Sequence, residues 1–220
     1  MPPTGQSFST LASLKKKHRN EFTSCATDPD ITFITSTPKL GIGQRAILIK
    51  TPKGNILWDC ITLLDDETVK KIRDMGGLRA IVISHPHFYS AHVQWGRAFG
   101  CPVYLASEDM TWTTFSSSEQ VPLTDITTPI LDTGATAIKL GGHFPGSMVL
   151  HYNNRLFIAD TLMTTASGVG DWSVDASGAE RTRPEGLNSY SFLWSIPNFI
   201  PLGVEEMVRM WKISRPFPSR

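Results

Sequence analysis

The spacing of apolar positions alternates between strand-like and helix-like along most of the chain. Residues 31–35 and 44–50 (Q-R-A-I-L-I-K) are rich in β-branched side chains, and residues 55–60 (N-I-L-W-D-C) follow the segment Thr51-Pro52-Lys53-Gly54. A proline and a glycine between two apolar runs predict a hairpin. Residues 65–75 read as an amphipathic helix, with Asp65 and Asp66 in its first turn and Gly76-Gly77 stopping it. The run 78–84 (L-R-A-I-V-I-S) is almost wholly apolar, as expected of a strand buried on both faces, and it ends at His85. A helix over 90–99 and a short buried strand over 102–105 continue the alternation, which in sequence is the mark of α/β layering. Residues 130–160 return to strands, with Asn153-Asn154 as a tight turn between 148–152 and 155–159.

The flanks read differently. Residues 1–30 are polar and weakly patterned, with one helical candidate over 9–19, and are taken as a partly helical N-terminal extension. Residues 31–213 form a single domain, closed by a helix over 204–213, and 214–220 read as a tail. The Gly- and Ser-rich stretch 164–189, with Trp172, is expected to be a flap beside the functional site, and the proline-stiffened segment 194–201 its opposite wall.

A chain of 220 residues, 40% hydrophobic, suffices for one full core and not for two. Its net charge of +1 argues against a protein that grips phosphate backbones, so no nucleic acid partner is expected. The basic run Lys15-Lys16-Lys17-His18-Arg19 reads as the solvated face of a short helix. Cys25, Cys60 and Cys101 are odd in number, widely spaced and without a C-x-x-C pair, which disfavours a disulfide framework and a thiolate zinc site. The first residues lack a signal-like apolar stretch, and no apolar run reaches the length of a membrane span. A soluble, cytoplasmic protein acting on a small molecule is therefore expected, with its oligomeric state open.

Three segments carry candidate chemistry. In Ser84-His85-Pro86-His87-Phe88-Tyr89-Ser90, two histidines two apart on extended chain point to the same side, and Pro86 biases His85 towards extended backbone. In Leu140-Gly141-Gly142-His143-Phe144-Pro145-Gly146-Ser147, glycines flank a single histidine and permit close backbone approach. In Arg155-Leu156-Phe157-Ile158-Ala159-Asp160, an apolar strand ends on a carboxylate. Each alone has an ordinary reading: unrelated histidines, a hairpin loop, a turn residue.

Taken together, in this order and at this spacing, they resemble the metallo-β-lactamase superfamily, as does Gly54-Asn55-Ile56-Leu57-Trp58-Asp59-Cys60, similar to its early strand ending in aspartate. The resemblance spans residues 31–202 and points to a divergent branch with S-H-P-H-F-Y-S in place of H-x-H-x-D-H. It implies an α/β fold of the four-layer αβ/βα sandwich type, either complete or lacking closing elements at the C-terminus. It also implies a metal site made by His85, His87, His143 and Asp160. Tyr89 stands where the family has Asp, Ser90 where it has His, and no histidine follows His151. One ion rather than two is therefore expected. His92, His151 and His18 read as structural or surface histidines.

Three imidazoles and a carboxylate suit Zn2+. The leading expectation is a mononuclear zinc hydrolase that attacks an ester, lactone, thioester or amide with metal-bound water, Asp160 accepting the proton. Tyr89 stands as a donor to the developing oxyanion or, equally, as a packed aromatic. A second reading takes His85, His143 and Asp160 as a two-histidine, one-carboxylate set for Fe2+ in a sulfur dioxygenase-like oxidoreductase. A third is a catalytically inactive relic of the fold.

Overall fold

The computed structural model describes residues 9–165, 175, 177–180, 190–192 and 202–217. The expected wall at 194–201 and most of the expected flap at 164–189, Trp172 included, lie outside the described residues.

A short helix α1 (Leu11–Leu14), capped by the Thr10 hydroxyl, leads into β1 (Arg19–Cys25), β2 (Asp28–Thr37), β3 (Arg45–Ile49) and β4 (Ile56–Trp58), all paired antiparallel in order. Helix α2 (Asp66–Asp74) crosses to β5 (Ala80–Val82), and helix α3 (His92–Phe99) crosses to β6 (Val103–Ala106). The strands β4, β5, β6 and β7 (Gln120–Leu123) run parallel. A seven-stranded sheet results, with strands in chain order.

Strands β8 (Thr127–Pro129), β9 (Thr136–Lys139), β10 (Met148–Tyr152) and β11 (Arg155–Phe157) build a second, antiparallel sheet. Strands β12 (Leu162–Thr164) and β13 (Tyr190–Phe192) pair antiparallel, and helix α4 (Val204–Ser214) follows.

Alternation along each strand decides the layering. In β3, Ala46 and Leu48 face the helices while Ile47 and Ile49 face the second sheet. One core lies between helices α2 and α3 and the first sheet, with Ile72, Trp95, Leu57 and Ile81 at its centre. A second lies between the sheets, where Trp58, Val82 and Tyr104 meet Ala137, Met148 and Leu150. A third joins the outer face of the second sheet (Ile138, Leu140, Val149) to Met210 of α4 and to Leu162 and Phe192. Helix, sheet, sheet and helix make the expected four layers.

Two segments differ from the sequence reading. The polar stretch before residue 30 contains β1, whose pattern is obscured because inward positions are shared by Phe22 and the polar Asn20. The Asn20 amide donates to the Leu63 carbonyl and the Thr68 hydroxyl, so its burial costs little. At the other end, α4 extends through Ser214, and Phe217 packs against the third core.

Candidate metal centre

All the relevant chain segments end at one edge of the two sheets. Strand β5 runs out at Val82, and Ile83 and Ser84 lead to His85, which has extended backbone and caps a 3-10 turn at Pro86–Phe88 that carries His87. The loop from β9 to β10 carries His143, and Asp160 follows β11. The glycines around His143 are needed. Gly142 has φ 88°, and a Cβ there would stand 2.8 Å from Met210 Cε; a Cβ on Gly146 would collide with Ala106 Cβ. The loop is pressed between α4 and the end of β6, and the Arg209 guanidinium donates to the Leu140 carbonyl at 2.7 Å.

The four side chains converge. Their ligand atoms lie within 4.8 Å of one another, and among the described residues they form the one group of at least three His, Cys, Asp or Glu able to share an ion. His85 Nε2 is 3.2 Å from His87 Nδ1, which is 3.4 Å from His143 Nε2. Asp160 Oδ2 stands 3.5, 3.7 and 3.6 Å from the nitrogens of His85, His87 and His143. A tetrahedron of zinc–ligand bonds of roughly 2.0–2.1 Å has edges of about 3.3–3.4 Å. Five of the six separations fall within a few tenths of an ångström of those edges, so the donor set comes close to what the ion requires.

Burial is uneven. The His85 and His143 side chains are 2% and 0% exposed, whereas His87 and Asp160 are 38% and 40% exposed, so the cluster is walled on one side and open on the other. Burial lowers the His85 pKa and keeps its ring neutral, the protonation state a metal ligand requires. The His85 ring beside it, ahead of the other two imidazoles, holds the Asp160 carboxyl below its ordinary range, so it stays ionised.

Behind His85 stands a support that sequence reading did not single out as functional. Its Nδ1 is 2.8 Å from Ser84 Oγ, and that hydroxyl donates to Asp59 Oδ2 at 3.0 Å while the Ser84 N–H donates to Oδ1 at 2.7 Å. With Ser84 Oγ donating onwards it accepts from Nδ1–H, which leaves the Nε2 lone pair facing the cluster. Asp59 is 2% exposed, and burial lifts its carboxyl to about 8 against the opposing pull of Ser84. The strand-ending aspartate was visible in sequence; its link to His85 through Ser84 required the parallel pairing of β4 with β5.

Tyr89 does not join the cluster. Its ring lies in the helix-side core, and its hydroxyl is buried without a hydrogen-bond partner among the described residues. Burial first, then the nearby carboxylates of Asp109, Asp59 and Glu108, raise its pKa. The Ser90 hydroxyl lies 3.3 Å from that of Thr62. His92 is a core histidine, Nδ1 donating to the Tyr89 carbonyl and Nε2 accepting from the Gln120 amide. His151 lies on β10 against Phe217, and His18 bonds the Pro38 carbonyl. All three cysteines are free.

An αβ/βα sandwich with a His/Asp cluster at its strand-end edge is the metallo-β-lactamase fold, and solved structures share it. The metallo-β-lactamase FIM-1 from Pseudomonas aeruginosa, in its mono-zinc form, superposes with a TM-score of 0.52 at 16% identity, over 74% of this chain and 76% of that one. A metallo-β-lactamase from Pontibacter korlensis gives 0.54 at 17% identity, over 66% and 73%. No protein-family profile matches the sequence. The uncharacterized protein YmaE of Bacillus subtilis (strain 168) is 35% identical over 200 residues, covering 91% of this chain and 68% of the relative, and the chain belongs to that protein's family.

Proposed function

We propose that this protein is a metal-dependent hydrolase that holds one ion, zinc by the chemistry of its donors, through His85, His87, His143 and Asp160. The observation that carries the reading is the convergence of three imidazole nitrogens and one carboxylate oxygen, with five of their separations at 3.2 to 3.7 Å. An ion there supplies Lewis acidity, polarising a carbonyl and acidifying water. FIM-1, which shares the fold, bears a single zinc in the form named above.

The chain's own groups divide the remaining work. His85 and His143, both enclosed, fix the donor geometry, while the half-exposed His87 and Asp160 leave an approach for a substrate. Asp160 is held ionised and is 40% exposed, so Oδ2 serves as a ligand while the carboxylate is available as proton acceptor. The enclosed Tyr89 hydroxyl suits packing, not donation to a substrate. One ion is favoured because Tyr89 is turned into the core and Ser90 offers only a hydroxyl, a poor zinc ligand.

The test is metal analysis of the purified protein followed by a panel of esters, lactones and thioesters. One equivalent of zinc, hydrolysis of at least one class, and loss of both in His85→Ala and His143→Ala are expected. Iron as purified with oxygen uptake on thiol persulfides would replace this reading with the oxidative one. A zinc-loaded protein inert to the whole panel would leave the relic.

A further inference from the structure

Phe144 immediately follows His143 and touches all three imidazoles. Its ring centroid lies 4.8 Å from that of His143, 5.2 Å from His87 and 5.8 Å from His85. On it stands Trp112, at 5.5 Å and with the ring planes 84° apart. Trp112 closes the 3-10 segment Ser107–Trp112 that follows β6, so it comes to this edge of the sheet from an element that supplies no member of the His/Asp cluster. It is 58% exposed, and Phe115 three residues on is 64% exposed.

A tryptophan 58% exposed forgoes much of the hydrophobic gain that burial would bring, and its contact with Phe144 offsets only part of that loss. Phe144 and Trp112 meet at nearly a right angle, forming an apolar corner continuous with the histidine cluster. A planar group laid on one ring meets the edge of the other, and both offset-stacked and edge-to-face contacts are favourable for aromatic groups. Lone exposed apolar residues are ordinary; two rings in contact beside a polar cluster that opens to solvent form a subsite.

We infer that Trp112 and Phe144 form a substrate subsite for an aromatic or compact apolar group, carried on the acyl or leaving side of the bond to be cleaved. The inference rests on the metal-dependent hydrolase reading for its chemistry, and it names the substrate class: esters, thioesters or amides with such a group on the acyl or the leaving side. The corner is made by two aromatic rings, so recognition there comes from area and ring geometry.

The experiment uses two readouts. In the first, the metal-free full chain is titrated with 4-fluorobenzamide, an unreactive probe, and binding is followed by fluorine NMR line broadening. Trp112→Ala should weaken binding roughly three- to tenfold, as loss of one aromatic contact implies, and Trp112→Phe should restore most of it. In the second, the zinc-loaded enzyme is compared on benzyl acetate and ethyl acetate. The ratio of their kcat/KM values should fall by a similar factor in Trp112→Ala. Binding of the probe unaffected by Trp112→Ala, or an equal fall on both esters, overturns the subsite. If the loaded protein hydrolyses neither ester nor any member of the ester, lactone and thioester panel, yet the probe still depends on Trp112, the hydrolase reading fails and the subsite stands.

Discussion

Asp59 follows β4 with φ 60°, in the left-handed region that aspartate tolerates better than most side chains. That turn aims its carboxylate at Ser84 across the parallel pair, and through Ser84 it sets the His85 tautomer. Asp59→Asn retains an acceptor for the Ser84 N–H but presents an N–H to the hydroxyl. The expected result is zinc affinity lower by about 10- to 100-fold with little change in fold, measured by competition with a chelating dye. His92 makes a separate prediction. Burial lowers its pKa, as it does for His85, below the ordinary value of 6.5. The folded chain therefore binds fewer protons than the unfolded chain just below 6.5, so stability declines as pH falls through that value. Urea midpoints of the metal-free chain should drop between about pH 7 and pH 5, and less steeply in His92→Gln. A slope unchanged by the substitution would assign the effect to other groups.

Among the elements, the loop from β9 to β10 is the most tightly constrained. It must bring His143 to the edge while passing between Met210 of α4 and Ala106 of β6. Gly146→Ala places a methyl against Ala106 and near the Asp109 carboxylate. Overpacking of this kind costs about 1–3 kcal/mol, and part of the strain should displace His143. The chain should melt several degrees lower and bind zinc more weakly, whereas Ala at Gly77, where no atom lies within 4 Å of the added Cβ, should suffer only the cost of its φ of 71°. Similar zinc affinity in the wild type and Gly146→Ala would show that the loop positions His143 independently of its packing. The glycines were legible in the sequence as a site of close approach. What they approach was not, since α4 lies more than sixty residues further along the chain.

At the scale of the whole molecule, an ion held by the cluster would link the first sheet, through His85 and His87, to the second, through His143 and Asp160. Binding of one ion to the folded form alone stabilises it by mass action, so saturating zinc should raise the melting temperature and chelation should reverse the rise. His143→Ala should abolish the shift by more than it lowers the stability of the metal-free chain. A melting temperature indifferent to zinc in the wild type would contradict a preformed site. The pattern of apolar residues by itself marked β3 to β6 as strands, β5 and β6 as buried ones, with a hairpin between β3 and β4 and helices on either side of β5. The motif residues His85, His87, His143 and Asp160 were likewise visible, because strand ends and glycine turns leave local marks. Only the tertiary structure decided that these residues share one point, that Ser84 joins Asp59 to His85, that Tyr89 turns inward, and that Trp112 arrives beside Phe144. The physical reason is range. Periodicity and turn chemistry act over a few residues, whereas the site is assembled by sheet pairing and layer packing between segments separated by dozens of residues along the chain.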